Sequence, residues 1–333
     1  MRPMTDERNS DNTWRETAPG ATLGPMALAT AVARRSWDAR PLAAKVTVGS
    51  MGLLAGALLL GLLSPEATST SGPALLVVAG VLGLPHGAVD HLALGWAAGR
   101  TGSASRAVIT AYAGAAVAVA VAALAAPLPA VLVLLALSAA HFAEGEAAFD
   151  RLRGGAGLAL PAAAHGLTVV AGPLLLHHGA VRPVLVALDR GLPGALDLVR
   201  VPVLATVSVV VLAGLATALR AGQRRTAIEL ALLVAAVVLA PPLLVFAVWF
   251  GGWHAPRHLV RLLALEPVGD GRDRLRRLAT GAVLPTAVAL TGLVVVAVVT
   301  GGLPGAVLVV LLALTVPHAA VVARLSRVAP AAG

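Results

Sequence analysis

Ten apolar segments near membrane-crossing length constrain this chain more than any other feature. They are drawn at 46–64, 73–98, 105–126, 128–149, 157–177, 200–220, 225–240, 242–264, 277–300 and 303–325. A helix needs about 20 predominantly apolar residues to cross a bilayer core. Charged residues make up only 12% of the chain, about half the roughly 25% usual in soluble domains. The runs are sustained rather than alternating, which argues against a closed β-barrel. The expected fold is therefore all-α, a polytopic transmembrane helical bundle of about ten helices, with residues 45–327 as a single domain. Residues 1–40 carry both signs of charge and lack the apolar core and cleavage site of a signal peptide. They read as a disordered cytoplasmic tail.

Charge placement orients the bundle. With the N-terminus inside, the inner connections hold Arg100, Arg106, Arg151, Arg153, Arg220, Arg224, Arg225, four arginines between 272 and 277, Arg324 and Arg327. The outer connections near 66–72, 127–129, 241 and 301–304 hold no Lys or Arg. Only the expected outer loop 178–199 breaks the pattern, with Arg182 and Arg190 against Asp189 and Asp197. Such a positive-inside bias places both termini in the cytoplasm and the protein in the plasma membrane. It also accounts for the net charge of +9 through anionic lipid rather than nucleic acid. The absence of cysteine excludes disulfides, iron–sulfur clusters and thiolate metal sites.

Histidines at membrane depth are the chemical signal, because polar groups there are costly and usually have a task. His86, His141 and His254 each fall 13 or 14 residues into a helix that runs from outside to inside. At 1.5 Å rise per residue they share one layer, slightly inward of the midplane. His258 follows His254 by four residues and points the same way. Four imidazoles converging from three helices fit a metal site of the kind built in bundle cores. Without cysteine, imidazole suits Fe(II), Zn or Cu. Asp90, four residues after His86, and Glu144, three after His141, are placed to orient ligands and balance charge. His318 lies about a turn deeper, and His91 is rotated about 140° from His86; both stand at most behind the ligands. A helix–helix hydrogen-bonding role suits His165, His177 and His178.

The five Trp, four Phe and one Tyr are not spread as interfacial belts. Phe142, Phe246, Trp249, Phe250 and Trp253 cluster beside His141 and His254. They read either as the wall of an apolar substrate cavity or as packing between two helices. Arg257 is placed to pair with Asp90, Glu144 or Glu146, or to snorkel, and Glu229 is a further buried acid without a role.

Three blocks, "GLPHGAVDH" at 83–91, "LSAAHFAEGE" at 137–146 and "WFGGWHAPRH" at 249–258, resemble the signatures of the Brp/Blh family of β-carotene 15,15′-dioxygenases. "TVPHAAVV" at 315–322 is similar to that family's final block. The resemblance covers roughly residues 45–327. It implies a multi-pass membrane enzyme that uses non-haem Fe(II) and O₂ to cleave β-carotene centrally into two retinal molecules. It also implies a functional link to a retinal-binding rhodopsin, and carries the family's iron ligands onto His86, His141, His254 and His258. The chain departs from the family pattern at Ala143–Glu146, and at Ala255 and Pro256. Two other classes stay open: a membrane di-iron desaturase or hydroxylase, and a His-rich transporter or haem-binding membrane protein.

Overall fold

The computed structural model describes residues 37–97, 102, 104–266 and 269–328. The expected tail falls almost wholly on residues 1–36, outside the described residues. Trp37 lies against Gly271, with the Arg274 guanidinium 5.7 Å from its ring centroid.

Helices account for nearly all of the described chain, and no strand occurs among the described residues. In order they are α1 (Arg40–Leu63), α2 (Pro65–Thr70), α3 (Gly72–Gly87), α4 (Asp90–Ala97) and α5 (Arg106–Ala125). There follow α6 (Pro127–Leu152), α7 (Ala159–Leu176), α8 (His178–Leu188), α9 (Leu192–Arg220) and α10 (Arg224–Leu239). The chain ends with α11 (Pro242–Val248), a π-helical turn (Trp249–His254), α12 (Ala255–Leu265), α13 (Gly271–Thr300) and α14 (Leu303–Val328).

All ten apolar segments are helical, and eight helical stretches are long and apolar enough to cross a membrane. The chain is thus a multi-pass membrane protein. The other two segments have physical reasons for falling short. α10 is only 16 residues long, and 242–264 is divided by the π turn and carries Arg257 and Arg261. Both are sheltered within the bundle, where α10 packs on α1 and α7, and the π turn on α1 and α3. α5 and α13 behave oppositely: Val117, Val283 and Val298 are all more than 60% exposed. In water such faces would be a liability; against acyl chains they are ordinary.

Lipid is as apolar as leucine, so helices in it associate through close packing and small residues. Gly166 of α7 shows this. A Cβ there would collide with the Ala139 carbonyl and lie 3.0 Å from the Ala143 amide nitrogen of α6. The α7 backbone therefore rests directly on the helix that carries His141.

Three local features depart from the sequence reading. Segment 73–98 is two helices, broken between Gly87 and Asp90. The expected loop 178–199 is a helix, α8, followed by the first two turns of α9. Its Val181 and Leu185, a turn apart, share a buried face, so the stretch folds as an amphipathic helix despite its charges. The WFGGWH segment forms the π turn. A Cβ at Gly251 or Gly252 would meet Leu82 at 2.6 Å or Leu53 at 2.9 Å, so the two glycines admit α3 and α1. The Ser50 hydroxyl donates to the Gly252 carbonyl at 3.0 Å, satisfying an acceptor in the turn. π turns recur at functional sites, and this one delivers His254.

Candidate metal centre

Five imidazoles meet where α3, α6, α12, α14 and the π turn converge. His86 ends α3, His141 lies in α6, His254 closes the π turn, His258 is one turn on in α12, and His318 follows Pro317 in α14. All five are buried. The ring of His86 is 4.9 Å from that of His254, 5.4 Å from His258 and 5.0 Å from His318, centroid to centroid. The His141 ring is 5.2 Å from His254 and 4.8 Å from His318. One ring nitrogen from each of His86, His141, His254 and His318 falls within 4.8 Å of the other three. A second donor group, Asp90 with His258 and His318, overlaps the first by sharing His318.

The nitrogens of this knot are left unfinished. His141 Nε2 and His254 Nε2 face each other at 3.4 Å. His141 Nδ1, His318 Nε2 and both nitrogens of His258 are buried without a hydrogen-bond partner. Buried polar groups in folded proteins are almost always satisfied, and an unsatisfied one costs about 1–3 kcal/mol. Four such atoms on three neighbouring rings, each neutral ring keeping one lone pair, fit a shared cation. Around an ion with ligand bonds near 2.1 Å, opposed nitrogens stand about 4.2 Å apart. The knot is therefore the size of a shell around one ion. His86 donates Nδ1–H to the Gly83 carbonyl one turn back, which leaves its Nε2 lone pair for the centre. Of the four histidines expected as ligands, His86, His141 and His254 belong to the compact set. His258 stands beside it, and His318 stands within it rather than a turn below.

The groups expected behind the ligands are rearranged. Asp90 does not face His86, because the break after Gly87 rotates it toward α5 and α14. It accepts from His318 Nδ1 at 2.9 Å and 3.0 Å through its two oxygens, and from the Tyr112 hydroxyl at 3.0 Å. Glu144 does not serve His141: it accepts from Ser326 and lies 3.7 Å from Arg261, with its side chain 30% exposed. His91 turns away, donating Nδ1–H to the Ala88 carbonyl in the break before α4 (3.1 Å), beside α13. Arg257 pairs with Glu146 at 2.7 Å and with Glu229 at 3.1 Å.

The expected aromatic wall divides in two. An apolar cavity of about 180 Å³ is lined by Phe142, Phe246 and Phe250 and by aliphatic residues of α6, α7, α8, α11 and α14. Phe142 and Phe250 also contact the knot, with ring centroids 4.7 Å from His254 and 5.5 Å from His86 respectively. The only polar residues lining the cavity are Ser138 and Thr315, each three residues before a knot histidine and so on its face. The cavity thus lies beside the histidines, with Phe142 and Phe250 between them. On α14 its lining runs from Val307 to Thr315, roughly 12 Å of helix. Trp249 and Trp253 do not line it. Trp249 donates to His165 at 3.2 Å, and Trp253 donates to Glu146 at 2.9 Å beneath Arg257. Trp249 packs behind the wall, its ring centroid 4.5 Å from Phe142 and 5.4 Å from His254.

Sequence reasoning missed Tyr112 altogether. Its signal is faint but present, as the one phenol in the chain sits on a helix with an otherwise lipid-facing composition. The family profile described as beta-carotene 15,15′-dioxygenase matches residues 77–326. No curated protein and no solved structure matches the chain.

Proposed function

Because the chain belongs to the beta-carotene 15,15′-dioxygenase family, we propose that its histidine knot holds one Fe(II) ion for central cleavage of β-carotene by O₂ into two molecules of retinal. The observation that carries this reading is the cluster of unpartnered imidazole nitrogens beside an apolar cavity, joined to it through Phe142 and Phe250. His86, His141, His254 and His258, with His318, would hold the metal. Bound there, iron supplies the oxygen-activating chemistry that a hydrocarbon polyene cannot obtain from side chains.

The protein's own groups do the positioning. Phe142 and Phe250, shared by cavity and knot, set how closely a polyene approaches the histidines. The aliphatic lining offers an all-carbon substrate no competing hydrogen bond and excludes water from the reacting carbons. A carotenoid dissolved in the bilayer reaches such a site without crossing water. The cell membrane, with both termini cytoplasmic, is the proposed location, and residues 45–327 form one membrane domain. Retinal release into the same bilayer suits a rhodopsin as recipient.

A di-iron site needs two shells, whereas the two donor groups share His318, so a single ion is favoured. Expression in β-carotene-producing cells tests the reading. Two retinals should appear for each β-carotene lost. Unchanged carotenoid beside well-expressed, iron-loaded protein would contradict it.

A further inference from the structure

We propose that Tyr112, Asp90 and His318 form a positioning relay that turns His318 into a ligand of the knot and supplies its negative charge. The inference rests on the metal-centre reading above. Asp90 is the first residue of α4 and only 2% exposed. Among the described ion pairs its sole partner is His318, and no Lys or Arg reaches it. A buried carboxylate without a cation is costly, and the α4 N-terminus offsets only part of that. The remaining compensation comes through His318.

The hydrogen bonds fix the direction of that coupling. With Nδ1–H donated to Asp90, the lone pair of His318 lies on Nε2, which is buried without a partner on the side facing His86 and His141. This is the carboxylate–histidine arrangement that sets ring orientation and raises ligand basicity at metal sites. Tyr112 completes it by donating to Asp90 Oδ2 at 3.0 Å. A free carboxylate rotates about its last bond; one held by a phenol from α5 does not. Neither Tyr112 nor Asp90 touches the position of a substrate, so both are positioning residues.

The test is Co(II) and Fe(II) binding to purified full-length protein in detergent, by competition with a chelator, together with the Co(II) ligand-field spectrum. Asp90→Asn should weaken metal binding about 10–100-fold, the range found when such outer partners are removed. Tyr112→Phe keeps the ring and should weaken it several-fold in the same direction, with a shifted Co(II) spectrum. Asp90→Glu should recover part of the loss. A purely structural role would lower thermal stability and leave affinity and spectrum unchanged; that result overturns the relay. If Asp90→Asn fails to fold, Tyr112→Phe alone decides. Wild-type protein that binds no metal overturns both readings, whereas metal binding without carotene cleavage overturns only the activity.

Discussion

Two polar clusters are buried side by side on the same helices, and they are finished differently. His254 and His258 belong to the knot; Trp253 and Arg257, one residue earlier in each case, belong to an ion network. In that network Arg257 bridges Glu146 and Glu229, and Arg153 reaches Glu229 at 2.5 Å and Asp150 at 3.0 Å. The Arg257 guanidinium also lies 3.7 Å from the Trp253 ring centroid, the cation–π arrangement. Its carboxylates and guanidinium ends are paired, leaving only Arg257 Nε without a hydrogen bond. The knot has four unpartnered nitrogens. A residue step of about 100° around a helix separates a cluster whose polar groups are paired from one whose nitrogens are not. Burial alone does not mark function; burial without satisfaction does.

The contrast breaks or sharpens by mutation, and the largest effects belong to the knot. His141→Ala and His254→Ala should each bring retinal formation below detection while the protein still purifies as a folded species. Retention of measurable turnover by either would place the reaction elsewhere. Glu229→Gln should do the reverse. It leaves two buried guanidinium groups underpaired, which costs about 3–5 kcal/mol, read as a lower unfolding midpoint in detergent. Metal bound per folded molecule should stay unchanged. Gly166→Ala should cost about 1–3 kcal/mol by overpacking α7 on α6, by the same unfolding readout. The smallest effect is expected at His177. Its Nε2–H caps the Val237 carbonyl at 2.7 Å, so His177→Ala should lose about 1 kcal/mol with turnover intact. A drop in turnover there would extend the site to the outer end of α7.

How far the sequence could be read follows the same geometry. Helical periodicity and a common depth bring together His86, His141, His254 and His258, because all four lie well inside apolar stretches. Apolarity likewise identifies all ten segments. Three things were not legible. The break between Gly87 and Asp90 swings Asp90 from His86 to His318. The extra residue in the π turn rotates Trp249 and Trp253 off the cavity wall that Phe246 and Phe250 keep. His318 joins the knot although α14 begins at Leu303, as the apolar segment does, so a residue count from the helix end does not by itself fix depth in the bundle. Glu144 and Glu146 show the cost of counting from one helix alone. Both lie close to His141 in sequence, but α12, α14 and the π turn supply the partners that settle each one: Ser326 and Arg261 for Glu144, and Arg257 with Trp253 for Glu146.

The central claim is that the knot is a one-metal oxygenase centre. Iron analysis of reconstituted wild-type protein against His254→Ala tests it most directly. The prediction is one iron per wild-type chain, lost or sharply reduced in the variant. Two irons per chain, or iron retained equally by both proteins, would contradict it.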